Sequence, residues 1–339
     1  MKPPDYQRVL HLGNPASTAT LLSVAARHTG RSWKVLPLAT TPHIHMVDPV
    51  LQRIARAARG AIWEAQFAAH KITRPKIHLH SAMATPHVGW ALGDYALHLH
   101  GTDIRTRLYE ESYHQRIVDA VTHARVVFYS TPDLAQHALP IRKDAILAPV
   151  PVTMKRTRAK NPLGSGRTYV FFTSRWEDVK GGYTQLEAAR ALRSLLPAHV
   201  ELIGLDWGPL AAEAWQVGIQ LVPKQPYPSF RALVRDAQLC IGQTAGIMSA
   251  SELDALAEGT PIVAPLNPQW YAADHPSLHN VPVLGGTNLD GRDAEGIAHL
   301  AAEHLGEPLP AAASSWLKAN HSPEACLDIV LGGYRSHQW

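Results

Sequence analysis

Two rounds of alternation between short apolar runs and longer amphipathic stretches constrain this chain more than any other feature. The first round gives RVLHLG (8–13), WKVLPLA (33–39), KIHLHSA (76–82), YALHLHG (95–101), RVVFYST (125–131) and AILAPVPV (145–152). The second gives YVFFTS (169–174), HVELIGL (199–205), IQLVPK (219–224), LCIGQT (239–244) and PIVAPL (261–266). Runs of this length bounded by turn residues read as buried strands, and the stretches between them as helices. The clearest helices run from an N-cap at Ser17 or Thr18 to Gly30, from about Pro49 to His70, and from about Tyr109 to His123. Such alternation predicts an α/β protein built on parallel, doubly wound sheets. Residues 155–167, KRTRAKNPLGSGR, are polar, basic and rich in Pro and Gly, and read as a linker. The expected organisation is a Rossmann-like domain over 1–154, the linker over 155–167, a second such domain over 168–310 and a helical tail over 311–339.

The 339 residues suffice for two domains of ordinary size. With 46% hydrophobic and 18% charged residues the composition excludes a disordered chain. No apolar run approaches the roughly 20 residues of a membrane span. The segment MKPPDYQRVLHLG passes from a polar lead straight into a strand, which does not read as a signal peptide. Cys240 and Cys326 sit far apart in apolar surroundings; two buried thiols fit a cytoplasmic protein better than a disulfide framework. Charge is uneven. Residues 1–150 hold 17 Lys+Arg against 10 Asp+Glu, or +7, and residues 151–339 hold 15 against 18, or −3. A basic half beside an acidic half suggests that the first domain meets an anionic partner.

Two loop-to-helix segments carry candidate chemistry. In GQTAGIMSASELDALAEGTPIVAPL (242–266), Ser249 and Ser251 are N-cap residues, SELDALA reads as helix and Gly259 closes it. A small-residue loop entering a helix is an anion site, because unpaired amides and the helix dipole face the ligand. The amides of Ile247, Met248 and Ser249 are placed to contact phosphate or sugar, and Asp254 to hold ribose hydroxyls. In YVFFTSRWEDVKGGYTQLEAARAL (169–192), Arg175 and Lys180 lie on a strand-to-helix turn with Gly181 and Gly182. Arg offers a bidentate fork and Lys a point charge, which together suit a pyrophosphate.

These segments, with LHGTDI (99–104), resemble the retaining GT4 type of GT-B glycosyltransferases. The resemblance implies two Rossmann-like domains facing a central cleft, with the tail packing back on the first domain. It implies transfer of a sugar from a nucleoside diphosphate sugar to an acceptor hydroxyl, with a uridine diphosphate donor ahead of a guanosine one. Gly13 and Asn14 match the family's first glycine loop, although a Gly-Asn-Pro sequence also suits a simple turn. His100 matches the histidine that borders the donor sugar. Asp103 either holds that loop or meets the acceptor. Asp254 stands where the family has the second of two glutamates, and Gly246 stands where it has the first. The missing carboxylate leaves the sugar and any side-chain nucleophile open. The departing diphosphate would be stabilised by Arg175, Lys180 and the helix N-terminus. No Asp-x-Asp triplet is present to hold a divalent ion, so no metal or other cofactor is assigned. Front-side attack with retention is the implied stereochemistry.

Histidines recur at strand ends: His11, His78, His80, His98 and His100. Residues two apart on a strand share a face, so each His-x-His pair points one way. Two readings stay open, a zinc site with three converging ligands and imidazoles hydrogen-bonded in a polar cleft floor. His80 is also an acceptor-site candidate. Arg53, Arg56 and Arg59, with Lys71, Arg74 and Lys76, form a basic cluster around the second helix. It suits a solvated helix face, an anionic membrane, or a nucleic-acid acceptor such as a hydroxymethylated phage-type base. Trp63, Trp90 and Tyr95 are candidates to stack on a sugar or base. Two other functions compete: a nucleotide-sugar epimerase of GT-B shape, and a non-catalytic nucleotide-binding protein on a degenerate GT-B scaffold.

Overall fold

The computed structural model of the chain describes residues 6–38, 49–73, 75–84 and 93–339; the side chains at 49, 50, 52, 56 and 84 lie outside the description. Two compact units emerge: Met1–Pro151 with Pro323–Trp339, and Val152–Ser322. Each holds one parallel six-stranded sheet.

The first sheet comprises β1 (Val9–Leu12), β2 (Lys34–Leu36), β3 (Lys76–Leu79), β4 (Tyr95–Leu99), β5 (Val126–Tyr129) and β6 (Ile146–Leu147), in the order β2-β1-β3-β4-β5-β6. Helices α1 (Thr18–His28), α2 (Pro49–Lys71), α3 (Glu111–His123) and the short α4 (Ala135–Ala138) connect them. The sixth strand is much shorter than AILAPVPV suggested, because Pro149 and Pro151 have no N–H to donate to a ladder. On one face Val9, Ala96, Val126, Phe128 and Ala148 pack with Leu22, Ala25, Ala26 and Trp33 and with Leu327, Val330, Leu331 and Tyr334 of the C-terminal helix.

The second sheet comprises β7 (Tyr169–Phe172), β8 (Glu201–Asp206), β9 (Gln220–Pro223), β10 (Leu239–Ile241), β11 (Ile262–Pro265) and β12 (Leu284–Gly286), in the order β12-β11-β10-β7-β8-β9. Its helices are α5 (Gly182–Leu195), α6 (Ala211–Gln216), α7 (Tyr227–Asp236), α8 (Ala250–Glu258), α9 (Ala294–Glu303) and α10 (Ala312–His321). Strand β12 escaped the sequence reading because two of its three residues are glycines at an edge, with no apolar alternation to betray them. The start of the expected linker is strapped to α7 and α8. Arg231 donates to the Lys155 carbonyl (3.0 Å), Arg235 to those of Thr157 (3.0 Å) and Ala159 (3.1 Å), and the Thr157 amide to Glu258 (3.0 Å). The tail divides at Ser322. Helix α10 stays with the second unit, and α11 (Pro323–Ser336) packs on α1 in the first.

In open parallel sheets ligands collect beyond the carboxyl ends of the strands, where the strand order reverses. That point falls between β1 and β3 in the first sheet and between β7 and β10 in the second.

Candidate functional site

At the reversal of the second sheet two loops are stapled together. The Lys180 carbonyl accepts from the Thr244 amide (3.1 Å) and from the buried Gln185 side chain (2.8 Å), and the Thr244 hydroxyl donates to the Gly181 carbonyl (3.0 Å). Only glycine fits at 181. Its φ is +69°, and a methyl there would overlap the Thr244 hydroxyl. Trp176, fully buried with its indole N–H on the Leu205 carbonyl (2.9 Å), anchors the preceding turn. The Lys180 ammonium donates to Gln243 Oε1 (3.0 Å). Arg175 pairs with Glu177, and its guanidinium lies 5.6 Å from the Trp207 ring centre, which Lys224 approaches to 4.1 Å. Arg175 and Lys224 thus share the Trp207 ring at the ends of β7 and β9, while Lys180 reaches Gln243 at the end of β10.

Helix α8 opens beside them with Ser249 as N-cap and closes on Gly259 at φ 83°. The expected open amides are partly taken. Glu252, fully buried, accepts from the amides of Ser249 (2.8 Å) and Gln243 (2.9 Å) and from the Ser249 and Ser251 hydroxyls. Met248 N–H donates to the Tyr271 hydroxyl (2.9 Å). The sequence signal for Glu252 is the Ser-x-x-Glu capping box that begins at Ser249.

Asp254 points inward, toward α7. It accepts from the Tyr227 hydroxyl (2.7 Å) and lies 3.5 Å from Arg231, which also pairs with Glu258 at 2.7 Å. One buried guanidinium serves two buried carboxylates, and desolvation raises the Asp254 pKa to about 7. Its carboxylate is engaged with the protein rather than presented for ribose.

Gly246 has φ +81°, and a Cβ there would lie 3.0 Å from Asn267 and 3.2 Å from Trp270. A glutamate there would be strained by the left-handed backbone and would press on Asn267 and Trp270. Gly246 lines a cavity of about 660 Å³ with Thr244, Asn267, Trp270, Asn288, Asp290 and Arg292. Asn267, Trp270 and Arg292 lie outside every motif that the sequence offered.

At the reversal of the first sheet stand the histidines. The registers His11↔His78 and His78↔Ala96 put His11, the pair 78/80 and the pair 98/100 on three adjacent strands. They share the face that begins with Val9 and Ala96, so an apolar row turns into an imidazole row toward the strand ends. Neighbouring rings stand 4.5–5.5 Å apart, from His98–His100 to His78–His98. His11 Nδ1 and His80 Nε2 are 2.8 Å apart, His80 Nδ1 and His100 Nε2 2.9 Å, and His78 Nδ1 and the Tyr334 hydroxyl 2.5 Å. Burial lowers all five pKa values, to about 3 for His11 and about 4 for His98. The Ala148 carbonyl opposes that shift at His98, yet neither ring nitrogen of His98 completes a hydrogen bond. The sequence singled out His100 and His80; the register joins His11, His78 and His98 to them.

The other first-unit candidates fall into place locally. Asp103 is buried and accepts from the amides of Ala82 (3.2 Å), Gly101 (3.2 Å) and Ile104 (3.1 Å), so it holds the loop after β4. That loop continues as one π-helical turn, Thr102–Thr106. Gly13 (φ +94°) runs beside His80, Asn14 caps the Thr20 amide (3.0 Å), and Ala16 and Ser17 are both left-handed. Consecutive non-glycine residues in that region store strain of a kind that clusters at ligand loops. Trp63 and Tyr95 are core residues rather than stacking platforms: Trp63 donates to the Pro37 carbonyl and stacks on Phe67, and Tyr95 donates to the Ala120 carbonyl. Arg53 is exposed on α2, and Arg59 donates to the Ala55 carbonyl (3.1 Å). The Arg56 side chain, Arg74 and Trp90 lie outside the described residues.

No family model matches the chain, and no curated protein matches it in sequence. Solved structures are similar to it in fold. A UDP-forming α,α-trehalose-phosphate synthase from Burkholderia xenovorans is similar at a TM-score of 0.66 and 14% identity, over 98% of this chain and 99% of its own. A sucrose-phosphate synthase from Thermosynechococcus elongatus gives 0.63 and 14%, over 97% and 98%. A glycosyltransferase from Rickettsia africae gives 0.61 and 12%, over 99% of both chains. The fold is therefore GT-B: two α/β units, each on a parallel six-stranded sheet.

Proposed function

We propose that this chain is a glycosyltransferase that moves a sugar from a nucleoside diphosphate sugar, a uridine diphosphate sugar foremost, to an acceptor hydroxyl. The observation that carries the reading is the stapled pair of loops at the reversal of the second sheet. It ties the Lys180–Gly181 turn to Thr244, which lines a cavity of about 660 Å³ together with Gly246, and Arg175 lies five residues back on the same loop. In this reading Arg175 and Lys180 take the diphosphate and neutralise the charge that grows on it as the glycosidic bond breaks. The sequence supplies no Asp-x-Asp triplet, so these cations carry that charge without a bridging divalent ion. The leaving phosphate accepts the acceptor proton on the attacked face, and configuration is retained. The Gly13–Asn14 loop and His100 border the donor. The first unit holds the acceptor, with Arg53 and Arg59 exposed or partly exposed on α2 for an anionic one. Two free, buried cysteines suit a reducing compartment such as the cytoplasm.

The fold supports this reading, since the similar structures include a UDP-forming trehalose-phosphate synthase. The test is a thermal-shift screen of UDP, GDP, ADP, dTDP and their sugar conjugates, followed by incubation with acceptor panels. The panels are duplex DNA with hydroxymethylated cytosine, lipids and small hydroxy acids. A ligand bound only by the native state raises the melting point with its saturation. One nucleotide should stabilise strongly, and Lys180→Ala should abolish the shift. No shift with any nucleotide would sink the reading.

Gly246 and Glu252 favour one alternative, a nucleotide-binding protein without catalysis. The first contributes no side chain to the sugar, and the second already fills amides at the α8 N-terminus. In that case a nucleotide binds, and the sugar is neither transferred nor hydrolysed.

A further inference from the structure

We propose that His80, His98 and His100 bind one transition-metal ion of the zinc class at the strand-order reversal of the first sheet. One ring nitrogen from each of the three lies within 4.8 Å of the others. The three rings are stacked, at interplanar angles of 20–26°, so binding one ion needs them to turn until their lone pairs meet; three imidazoles with the fourth position left open are the donor set of an exchangeable or catalytic zinc site rather than a closed structural one. Imidazole donors without a carboxylate in the group favour Zn, Co, Ni or Cu over Mg or Ca.

Two features of this chain point to a ligand. First, His98 is buried and neither of its ring nitrogens completes a hydrogen bond, the Ala148 carbonyl being the one backbone group that acts on the ring. A buried donor or acceptor left unpaired destabilises the fold, and a metal ion would take the lone pair. Second, the nitrogen behind His80 is already held. His80 Nε2 bonds His11 Nδ1 at 2.8 Å, which leaves His80 Nδ1 facing His100 Nε2 at 2.9 Å. Metal-bound histidines are oriented by such a bond on the far nitrogen, so His11 is the positioning residue. An ion between His80 and His100 replaces their hydrogen bond and opens the nitrogens to about 3.3 Å, as a Zn–N bond of about 2.0–2.1 Å requires. His100 is only partly buried, which gives the ion an entry side, and the strained Gly13–Ser17 loop runs beside His80. The site needs nothing from the donor loops of the second unit, so it stands whether or not the chain transfers sugar.

The experiment uses the full chain, stripped with EDTA, exposed to Zn(II) or Co(II) and then dialysed. Elemental analysis should find one ion per chain, and the Co(II) form should show the intense visible bands of a tetrahedral site. His100→Ala, at the least buried ligand, should fold by circular dichroism, lose the retained ion and lose the Co(II) bands. His11→Asn should weaken affinity by about 10–100-fold and keep the bands. His123→Ala, at an exposed helix end, should change nothing. Failure of the parent chain to retain Zn(II), Co(II), Ni(II) or Cu(II) would overturn the proposal. So would undiminished retention in folded His100→Ala, which would put the ion elsewhere.

Discussion

The two sheets meet the same topological problem with opposite chemistry. At the reversal between β7 and β10, the second unit places cations on the loop after β7: Lys180 and Arg175, with the backbone fixed by Thr244 and Gln185. At the reversal between β1 and β3, the first unit places imidazoles on the strands themselves, stacked and largely buried. Loop cations stay partly hydrated and can follow a charged ligand. Strand-borne imidazoles are fixed by register and pleat, and burial strips their charge. One arrangement is suited to an incoming anion, and the other to a preset geometry of neutral donors.

The sharpest way to break this contrast is to remove its central cation. Lys180→Ala should cut transfer by about 10²–10³-fold, the loss typical when one charge-stabilising donor is removed, with the circular-dichroism spectrum intact. Unchanged turnover would leave the second reversal without a catalytic role.

A smaller effect tests whether burial also decides charge inside the second unit. Burial raises the folded Asp254 pKa to about 7, from the ordinary carboxylate value of 3.8. Its contribution to stability is therefore complete below pH 3.8 and is lost as pH rises through 7. Asp254→Asn removes that slope. The unfolding free energy of the variant relative to the parent should improve by about 1.4 kcal/mol per pH unit between about pH 4 and 7, read from urea melts. A flat difference would show that Arg231 keeps Asp254 ionised throughout.

Gly181→Ala probes the staple between the loops. A left-handed alanine costs about 1–2 kcal/mol, and the added methyl overlaps Thr244. The melting point should fall, and nucleotide affinity should fall with it. A variant that melts lower yet binds normally would separate the staple from the site. The smallest change is Glu177→Gln, which frees Arg175 from its ion pair. A partly exposed pair is worth about 0.2–1 kcal/mol, so nucleotide affinity measured by calorimetry should rise by up to about fivefold. A fall would mean that Glu177 orients Arg175 rather than competing for it.

The sequence made most of the fold legible, because the alternation of apolar runs and amphipathic stretches is a local signal. Eleven strands announced themselves in that way. The twelfth did not, since Leu284–Gly286 is defined by its pairing with β11 and not by its side chains. Arg175, Lys180, Gly181 and Gly182 were legible for the same local reason: a strand, a turn and a helix follow one another. Asp254 was misjudged because its direction depends on Tyr227 and Arg231, residues on another helix. The contacts of residues 155–159 were hidden in the same way, since their polar composition says nothing of Arg231 and Arg235 reaching them from α7.

What the sequence determined by itself, then, was periodicity and chemistry along the chain: two parallel sheets, the glycine turns, and histidines two apart on single strands. What only the tertiary structure decided was which of these meet. Strand order and register bring His11, His78, His80, His98 and His100 to one face across 89 residues of chain. Contacts so distant in sequence are fixed by hydrogen-bonded pairing between strands and by the helices packed over them, and neither leaves a mark in the local pattern.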